Sequence, residues 1–339
     1  MVSTEELIDH LCSFWKSKRE NAIDELVERG VKNPREVVPK LIGSLNHKKE
    51  KIRKNAKTAY ERVCTKVDVV PIVMREMSKS KSLTKGSTSI TNIGGVATGN
   101  LDGKEVIVTG SLDTNVYVMD TMGVQLWVGT MPEKAVRAVA VGKIRNKEVV
   151  LAADINIYAW DNKGRFLWKA NAPSQSVNNI TIGQLGGVDI IAAGSSDGCV
   201  YLFEGHGNPI GVVSDAEGDI NDVAIGKIAG YDVVVAGSSD HNIYMWDTYG
   251  RLIWVGKEPF REVLAVEIGS LGENRVVIAG SAEGRVYVWD ESGSILWVGK
   301  EPNKPVVGVA VGKINEKYLV VAEDEDNEIY MWDKDGNLL

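Results

Sequence analysis

Hydrophobic and polar positions follow one repeating pattern over most of the chain. A tyrosine preceded by valine or isoleucine recurs at spacings of 41, 43, 43, 43 and 43 residues, at Tyr117, Tyr158, Tyr201, Tyr244, Tyr287 and Tyr330. Two glycines keep the same register, one at Gly99, Gly142, Gly183, Gly226, Gly269 and Gly312, the other at Gly123, Gly164, Gly207, Gly250, Gly293 and Gly336. Self-similarity at a fixed period is the signature of a repeat architecture, so residues 93–339 are predicted to be six copies of one unit.

Each unit contains four short strand signals. In the fourth unit they are Asp222-Val-Ala-Ile-Gly, Asp232-Val-Val-Val-Ala-Gly, Asn242-Ile-Tyr-Met-Trp-Asp and Arg251-Leu-Ile-Trp-Val-Gly. Turn residues separate them and no helical stretch intervenes, so consecutive strands should pair antiparallel. Four strands in a repeat of about 40–45 residues are typical of a β-propeller, whose radial closure protects the sheet edges. We predict six four-stranded antiparallel blades at about 93–135, 136–176, 177–219, 220–262, 263–305 and 306–339.

The turn between the third and fourth strands reads Asp-x-x-Gly in five units, and a tryptophan follows four residues later in four of them. Asp caps such a turn with its side chain and Gly supplies a positive φ. The third unit departs from the pattern, with Glu204 for Asp and Gly211 for Trp. The sixth unit reaches Leu339 before its fourth strand is complete, and we expect residues 87–92 to supply the missing strand.

These residues carry two family resemblances. Tyr244-Met-Trp-Asp-Thr-Tyr-Gly-Arg-Leu-Ile-Trp254 resembles the tryptophan-docking motif of quinoprotein-like (PQQ-like) propellers, and Ala236-Gly-Ser-Ser-Asp-His-Asn-Ile-Tyr-Met-Trp-Asp247 resembles the end of a WD40 repeat. WD40 repeats usually carry a Gly-His pair near their start, and none of the four histidines of this chain lies at that place; the Cys-Cys pair often found in quinoprotein dehydrogenases is absent as well. The resemblance therefore implies the non-enzymatic, scaffolding branch of such propellers.

The apolar period changes from 2 to 3.6 in residues 1–80. Ile52, Ala56, Ala59, Tyr60 and Val63 fall on one helix face, and Asn33-Pro34 is a helix-start signal. Pro39-Lys-Leu-Ile-Gly-Ser-Leu45 followed by Ile52-Arg-Lys-Asn-Ala-Lys-Thr-Ala59 resembles a HEAT repeat. The expected organisation is a short HEAT-like α-hairpin domain over 1–80, a linker with the closing strand over 81–92, and the propeller over 93–339, an α plus all-β multidomain chain.

Charge separates the two parts. Residues 1–92 hold 19 basic and 12 acidic residues, whereas the remainder holds 20 basic and 34 acidic residues. Three widely spaced cysteines without a CxxC pair favour a reducing compartment, and the absence of a signal-like segment or a long apolar run leads us to expect a cytoplasmic protein without membrane insertion.

Candidate functional residues lie in two places: at one acidic loop position that recurs in every unit, and at channel-mouth positions that differ between units. Asp113, Asp154, Asp197, Asp240, Glu283 and Asp326 share one loop position, where turn capping is the first interpretation and an acidic ring for a basic partner the second. At the mouth of the central channel, equivalent positions differ between blades, with a polar half that consists of Arg137, Asn178, Asn179, Asn221 and Asp222. This one-sided polarity is expected of a binding site and equally of drift at exposed positions. Phe260 and Arg261 could anchor a partner on the same face.

A basic cluster lies in the helical part, at Lys48, Lys49, Lys51, Lys54 and Lys57. A solvated helix face is the first interpretation, and contact with nucleic-acid phosphates the second. No HExxH or P-loop motif is present, and we expect no catalytic site, no metal site and no cofactor.

The function predicted from the sequence is that of a protein-interaction scaffold. The propeller loop face would bind a protein partner, and the HEAT-like domain would make a second contact within a larger assembly. The alternatives are a nucleic-acid or ribosome-associated factor that uses the basic helices, and a small-ligand binder or enzyme at the channel mouth.

Overall fold

The computed structural model describes residues 3–11, 16–33, 36–37, 40–41, 44, 52, 55–56, 58–59, 82–85, 88–91, 93–171, 174–314 and 317–339. The chain divides into two compact units, which are described separately. One comprises Met1–Ile93 with Glu105–Ile107 and Val118–Leu126, and the other comprises the remaining residues.

The first unit contains helix α1 (Thr4–His10) and helix α2 (Lys16–Lys32). A capping box starts α1, because Ser3 Oγ accepts from the Glu6 N–H at 3.1 Å and Glu6 Oε2 accepts from the Ser3 N–H at 2.8 Å. Leu7 of α1 and Leu26 of α2 are buried. Within the described part of the chain, no helix is long and apolar enough to cross a membrane.

The helix face predicted around Ile52 is present where the structure describes it. Ile52, Ala56 and Ala59 are helical and buried, and Asn55 Nδ2 donates to the Leu11 carbonyl at 2.8 Å. Residues 60–81 and the five lysines of the basic cluster lie outside the described residues. The two described helices do not by themselves make a HEAT-like repeat, and that resemblance stays a prediction.

Each of the six propeller repeats forms one antiparallel sheet, called a blade. Their strands, in order from the first blade to the sixth, are β3 (Ile93–Leu101), β4 (Lys104–Ser111), β5 (Val116–Asp120) and β6 (Gln125–Gly129); β7 (Ala138–Ile144), β8 (Lys147–Ala153), β9 (Asn156–Asp161) and β10 (Phe166–Asn171); β11 (Val177–Leu185), β12 (Val188–Ser195), β13 (Val200–Glu204) and β14 (Pro209–Val213); β15 (Ile220–Ile228), β16 (Tyr231–Ser238), β17 (Ile243–Asp247) and β18 (Leu252–Gly256); β19 (Val263–Leu271), β20 (Asn274–Ser281), β21 (Val286–Trp289) and β22 (Ile295–Gly299); and β23 (Val306–Ile314), β24 (Lys317–Asp324) and β25 (Ile329–Asp333). The first strands β7, β11, β15, β19 and β23 lie side by side in this order.

The sixth sheet has three strands among the described residues, so the prediction of four strands in every blade holds for the first five. Its fourth strand is represented only by an isolated bridge between Trp332 and Leu338. The segment expected to complete it pairs elsewhere, because β2 (Thr88–Thr91) forms a two-stranded hairpin with β1 (Ser82–Lys85).

Each blade has two distinct ends, which the meander topology determines. The hairpins between second and third strands and the loops between blades lie at one end, called here the loop end; an example is loop 257–262. The hairpins between first and second strands and the turns between third and fourth strands lie at the other, called here the turn end; an example is turn 248–250.

Aromatic residues pack each blade against the next. Trp160, Trp289 and Trp332 are fully buried in third strands. Tryptophans from the fourth strand of the preceding blade lie tilted against them, with ring-centroid distances of 6.4 Å for Trp127–Trp160, 6.3 Å for Trp254–Trp289 and 6.4 Å for Trp297–Trp332. The prediction that these aromatic positions serve blade packing is confirmed.

The turn glycine meets the same tryptophan. At Gly164, which has a φ of 77°, an added Cβ would lie 2.7 Å from the indole of Trp127, so both conformation and space require glycine. Between the third and fourth blades Gly211 replaces the tryptophan, and a Cβ at Gly250 would meet only Val213, at 3.1 Å. The irregular third unit therefore has a different blade contact.

A pair of glycine variants tests the packing of the innermost strands. A Cβ at Gly226 would lie 2.9 Å from Ile268 Cγ2 in the next blade, whereas one at Gly312 would meet no described atom within 4 Å. We expect Gly226→Ala to lower the free energy of unfolding by about 1–3 kcal/mol through overpacking, and Gly312→Ala to leave it unchanged or raise it by about 0.5–1 kcal/mol. Urea unfolding checks both. Equal destabilisation by the two variants would contradict this account of the blade contacts.

Candidate functional site

A carboxylate and a tyrosine form a repeated contact at the loop end. The tyrosine hydroxyl donates to the carboxylate of the preceding hairpin in the first four blades: Tyr117 to Asp113 at 2.7 Å, Tyr158 to Asp154 at 3.2 Å, Tyr201 to Asp197 at 2.9 Å and Tyr244 to Asp240 at 2.7 Å. Burial first, and then the bond to Asp240, raise the pKa of Tyr244 to about 12, so its hydroxyl stays a donor at neutral pH.

The same carboxylates cap their own hairpins. Asp113 Oδ1 accepts from the Asn115 N–H at 3.0 Å, and Asp240 Oδ1 accepts from the Asn242 N–H at 3.0 Å. The turn-capping interpretation is therefore confirmed at these positions. In the sixth blade the hairpin is capped by Asp324 and not by the predicted Asp326: the Asp324 side chain accepts from the Asp326 N–H at 2.9 Å.

A further role of these carboxylates was not apparent in the sequence. They also accept backbone N–H groups from the loop that enters the blade: Asp154 from Glu133 and Lys134, each at 3.0 Å, Asp240 from Glu217 at 2.8 Å, and Glu283 from Phe260 at 2.8 Å. At these three positions the carboxylate therefore also holds the loop that enters its blade.

Loop 257–262 presents the predicted anchor residues Phe260 and Arg261. The loop is held at three points: Glu258 Oε2 accepts from Trp289 Nε1 at 3.0 Å, Glu283 holds the Phe260 N–H, and the Glu262 carbonyl accepts from the Ala282 N–H at 2.8 Å. The Phe260 side chain is nevertheless 74% exposed.

Two arginines lie near the Phe260 ring. The Arg285 guanidinium carbon lies 5.7 Å from the centroid of the Phe260 ring, and Arg261 is exposed beside it. A tethered backbone that exposes an aromatic ring near arginines has the composition of an interface hot spot.

Two of the predicted channel-mouth residues are bonded to the neighbouring blade. Asn178 Nδ2 donates to the Ile220 carbonyl at 3.0 Å, and Asn221 Nδ2 donates to the Val263 carbonyl at 2.9 Å. These donors satisfy first-strand carbonyls across the blade boundary. That either residue binds a partner stays a prediction.

Asp222 also bridges two blades. Its carboxylate accepts from the Val223 N–H at 2.9 Å and from the Val266 N–H of the next blade at 2.7 Å. Burial raises the pKa of Asp222 to about 7, although both hydrogen bonds oppose the shift, and the nearby Glu267 carboxyl raises it further. Burial likewise raises the pKa of Glu267.

The remaining mouth residues have unused polar atoms. Arg137 is exposed, and Asn179 Oδ1 is buried without a hydrogen-bond partner among the described residues. Polar groups with spare bonding capacity at the mouth are therefore fewer than the sequence pattern indicates.

Family models match two parts of the propeller. The model of the lambda-carrageenase β-propeller domain matches residues 261–339, and that of the WD domain, G-beta repeat, matches residues 199–247. No curated protein matches the sequence. Together with the series of antiparallel blade sheets, these matches show that the chain contains a WD40-like β-propeller, a class of domain that generally serves as a protein-interaction scaffold.

Proposed function

We propose that the protein is an interaction scaffold whose propeller binds a protein partner at the loop end, with loop 257–262 at the centre of the contact. The observation that carries the proposal is the exposed Phe260 ring on a backbone tethered by Glu283 and Glu258. A pre-organised aromatic anchor loses little conformational entropy on binding. The helical part would make a second contact within the assembly.

Substituting Phe260 tests the proposal. The equivalent residue in the next loop is Asn303, so Phe260→Asn introduces a side chain that the repeat already tolerates while retaining the N–H that Glu283 accepts. We expect the variant to weaken partner binding by about 2 kcal/mol, or roughly 30-fold, because the anchor side chain is lost. Affinity purification of the full chain from its native cells, followed by titration of the enriched partner, measures this.

Tyr249 provides the matched control. It is 82% exposed but lies in a turn at the opposite, turn end, and the equivalent residue in the fifth blade is Ser292. Tyr249→Ser should leave partner binding unchanged. The proposal fails if Phe260→Asn binds like the unmodified protein, or if both variants lose the partner equally.

A further inference from the structure

A cavity of about 820 Å³ lies at the turn end, between the second and third blades. Its volume is within the range of about 300–1,000 Å³ that is usual for small-molecule sites. The loop-end contact proposed above does not involve it, because its walls come from the hairpin after β7, the turn after β9 and the turn after β13.

The first wall is irregular in the repeat. The hairpin between β7 and β8 contains Arg145 and Asn146 at φ values of 50° and 61°, where the other blades have Asp102, Gly186, Ala229, Gly272 or Asn315 at the first position. Left-handed conformations disfavour a long side chain. The second blade alone places a cation at this position.

The opposite wall is irregular as well, and the two irregularities meet. The turn of the third blade reads Glu204-Gly-His-Gly207 instead of Asp-x-x-Gly, and an added Cβ at Gly205 would collide with the Ile144 side chain. Arg145 Nη1 lies 2.8 Å from His206 Nε2. Guanidinium can only donate, so this histidine nitrogen accepts, and Arg145 keeps its charge and its other N–H donors.

The cavity is cationic within an acidic domain. Residues 93–339 hold 20 basic and 34 acidic residues. In contrast, four cations and two carboxylates line the cavity: Lys143, Arg145, Lys147 and Arg165, with Glu148 and Asp161. Both carboxylates have partners, since Asp161 Oδ2 pairs with Arg165 Nε at 2.6 Å and Glu148 Oε2 accepts from the Asp102 N–H at 2.6 Å.

Apolar surface completes the cavity. Leu167 is 48% exposed, and Trp168 is partly exposed, with its indole packed on one side against the turn glycine Gly207. Arginine combined with an indole surface suits a ligand that has a planar ring and a phosphate group, because guanidinium binds phosphate in a bidentate manner.

From these observations we infer that this cavity binds a small, free phosphate monoester that carries a planar ring, with Arg145 on the phosphate and Trp168 beside the ring. The steric fit of Gly205 and the Arg145–His206 contact both concern residues that no repeat pattern requires. They converge on one site from two blades.

Phenyl phosphate is the probe that tests the site. Isothermal titration of the full chain should show saturable 1:1 binding that weakens with added salt, while phenol and inorganic phosphate should each bind at least about tenfold more weakly. Arg145→Gly should reduce phenyl phosphate affinity at least about tenfold, because the guanidinium is lost while Gly186 shows that the hairpin tolerates glycine.

A matched pair of arginines separates the site from general surface charge. Arg165 and Arg251 make the same contact with the turn aspartate, at 2.6 and 2.7 Å, but only Arg165 lines the cavity. Each arginine is substituted by serine, because Ser294 occupies the equivalent position in the fifth blade. Arg165→Ser should weaken binding and Arg251→Ser should not.

The inference would be overturned by no saturable binding of phenyl phosphate, by unchanged affinity in Arg145→Gly, or by equal losses in Arg165→Ser and Arg251→Ser. Thermal unfolding of each variant verifies that it is folded. If a phosphotyrosine peptide binds more than about tenfold tighter than phenyl phosphate, the site recognises a phosphate carried by a protein and not a small free ligand. That result would also overturn the inference.

Discussion

Replacing Trp289 by alanine is expected to lower the free energy of unfolding by about 3–5 kcal/mol, the usual cost of removing a large buried aromatic side chain. Trp289 is 0% exposed, and its ring lies 5.6 Å from that of Tyr287 and 6.3 Å from that of Trp254. Its indole N–H also donates to Glu258. Alanine would therefore leave a cavity between the fourth and fifth blades and release the anchor of loop 257–262.

The repeat supplies a control for this variant. Phe203 occupies the equivalent position in the third blade and is buried there, so Trp289→Phe should cost only about 1–2 kcal/mol. Urea unfolding followed by tryptophan fluorescence and by circular dichroism measures both variants. A loss below about 1 kcal/mol in Trp289→Ala would show that the blade contact contributes little to stability.

Raising the pH from about 5 to about 8 is expected to remove about 2–3 kcal/mol of stability through Asp222. Its folded-state pKa is raised to about 7, whereas an unfolded Asp titrates near pH ~3.9. The folded state therefore binds the proton more tightly. This contribution is fully present below the unfolded pKa and is lost as the pH rises through the folded pKa. Glu267, whose pKa is also raised, acts in the same direction.

Urea unfolding at several pH values, with Asp222→Asn, tests this dependence. Asn179 is the equivalent residue in the third blade, so asparagine fits the position, although only its Oδ1 can accept and one of the two N–H groups loses its acceptor. The variant should be less stable at low pH and should lose much of the pH slope. Asp232→Asn is the control, because the bond with Lys227 lowers the pKa of Asp232 and its contribution has the opposite sign. An unchanged slope in Asp222→Asn would contradict the prediction.

Much of the propeller was predictable because its determinants repeat. The tyrosine and glycine registers located the blades, and the spacing of turn Asp, turn Gly and Trp indicated the packing that the structure shows for Trp127, Gly164 and Trp160. Such signals are local, since a turn needs its Gly and a strand its alternation. The helical period around Ile52 was readable for the same reason.

Pairings between distant residues were not predictable in this way. Strand propensity alone does not select a partner, so the closing role expected for residues 87–92 could not anticipate the hairpin that Thr88–Thr91 forms with Ser82–Lys85. The polar mouth residues looked exposed in the sequence, yet Asn178, Asn221 and Asp222 bond to the next blade. The second role of Glu283 was not predictable either, because its carboxylate accepts the N–H of Phe260, which lies 23 residues away in another loop.

The number and period of the blades, and the four strands of the first five, could be predicted from the sequence because side-chain alternation and turn chemistry act over a few residues. The tertiary contacts determine which carboxylates hold loops, which carboxyl at a blade boundary has a raised pKa, and that Arg145 meets His206, 61 residues later, beside one cavity. Contacts of that kind depend on how neighbouring blades pack, and a repeat pattern carries no information about the positions at which it is broken.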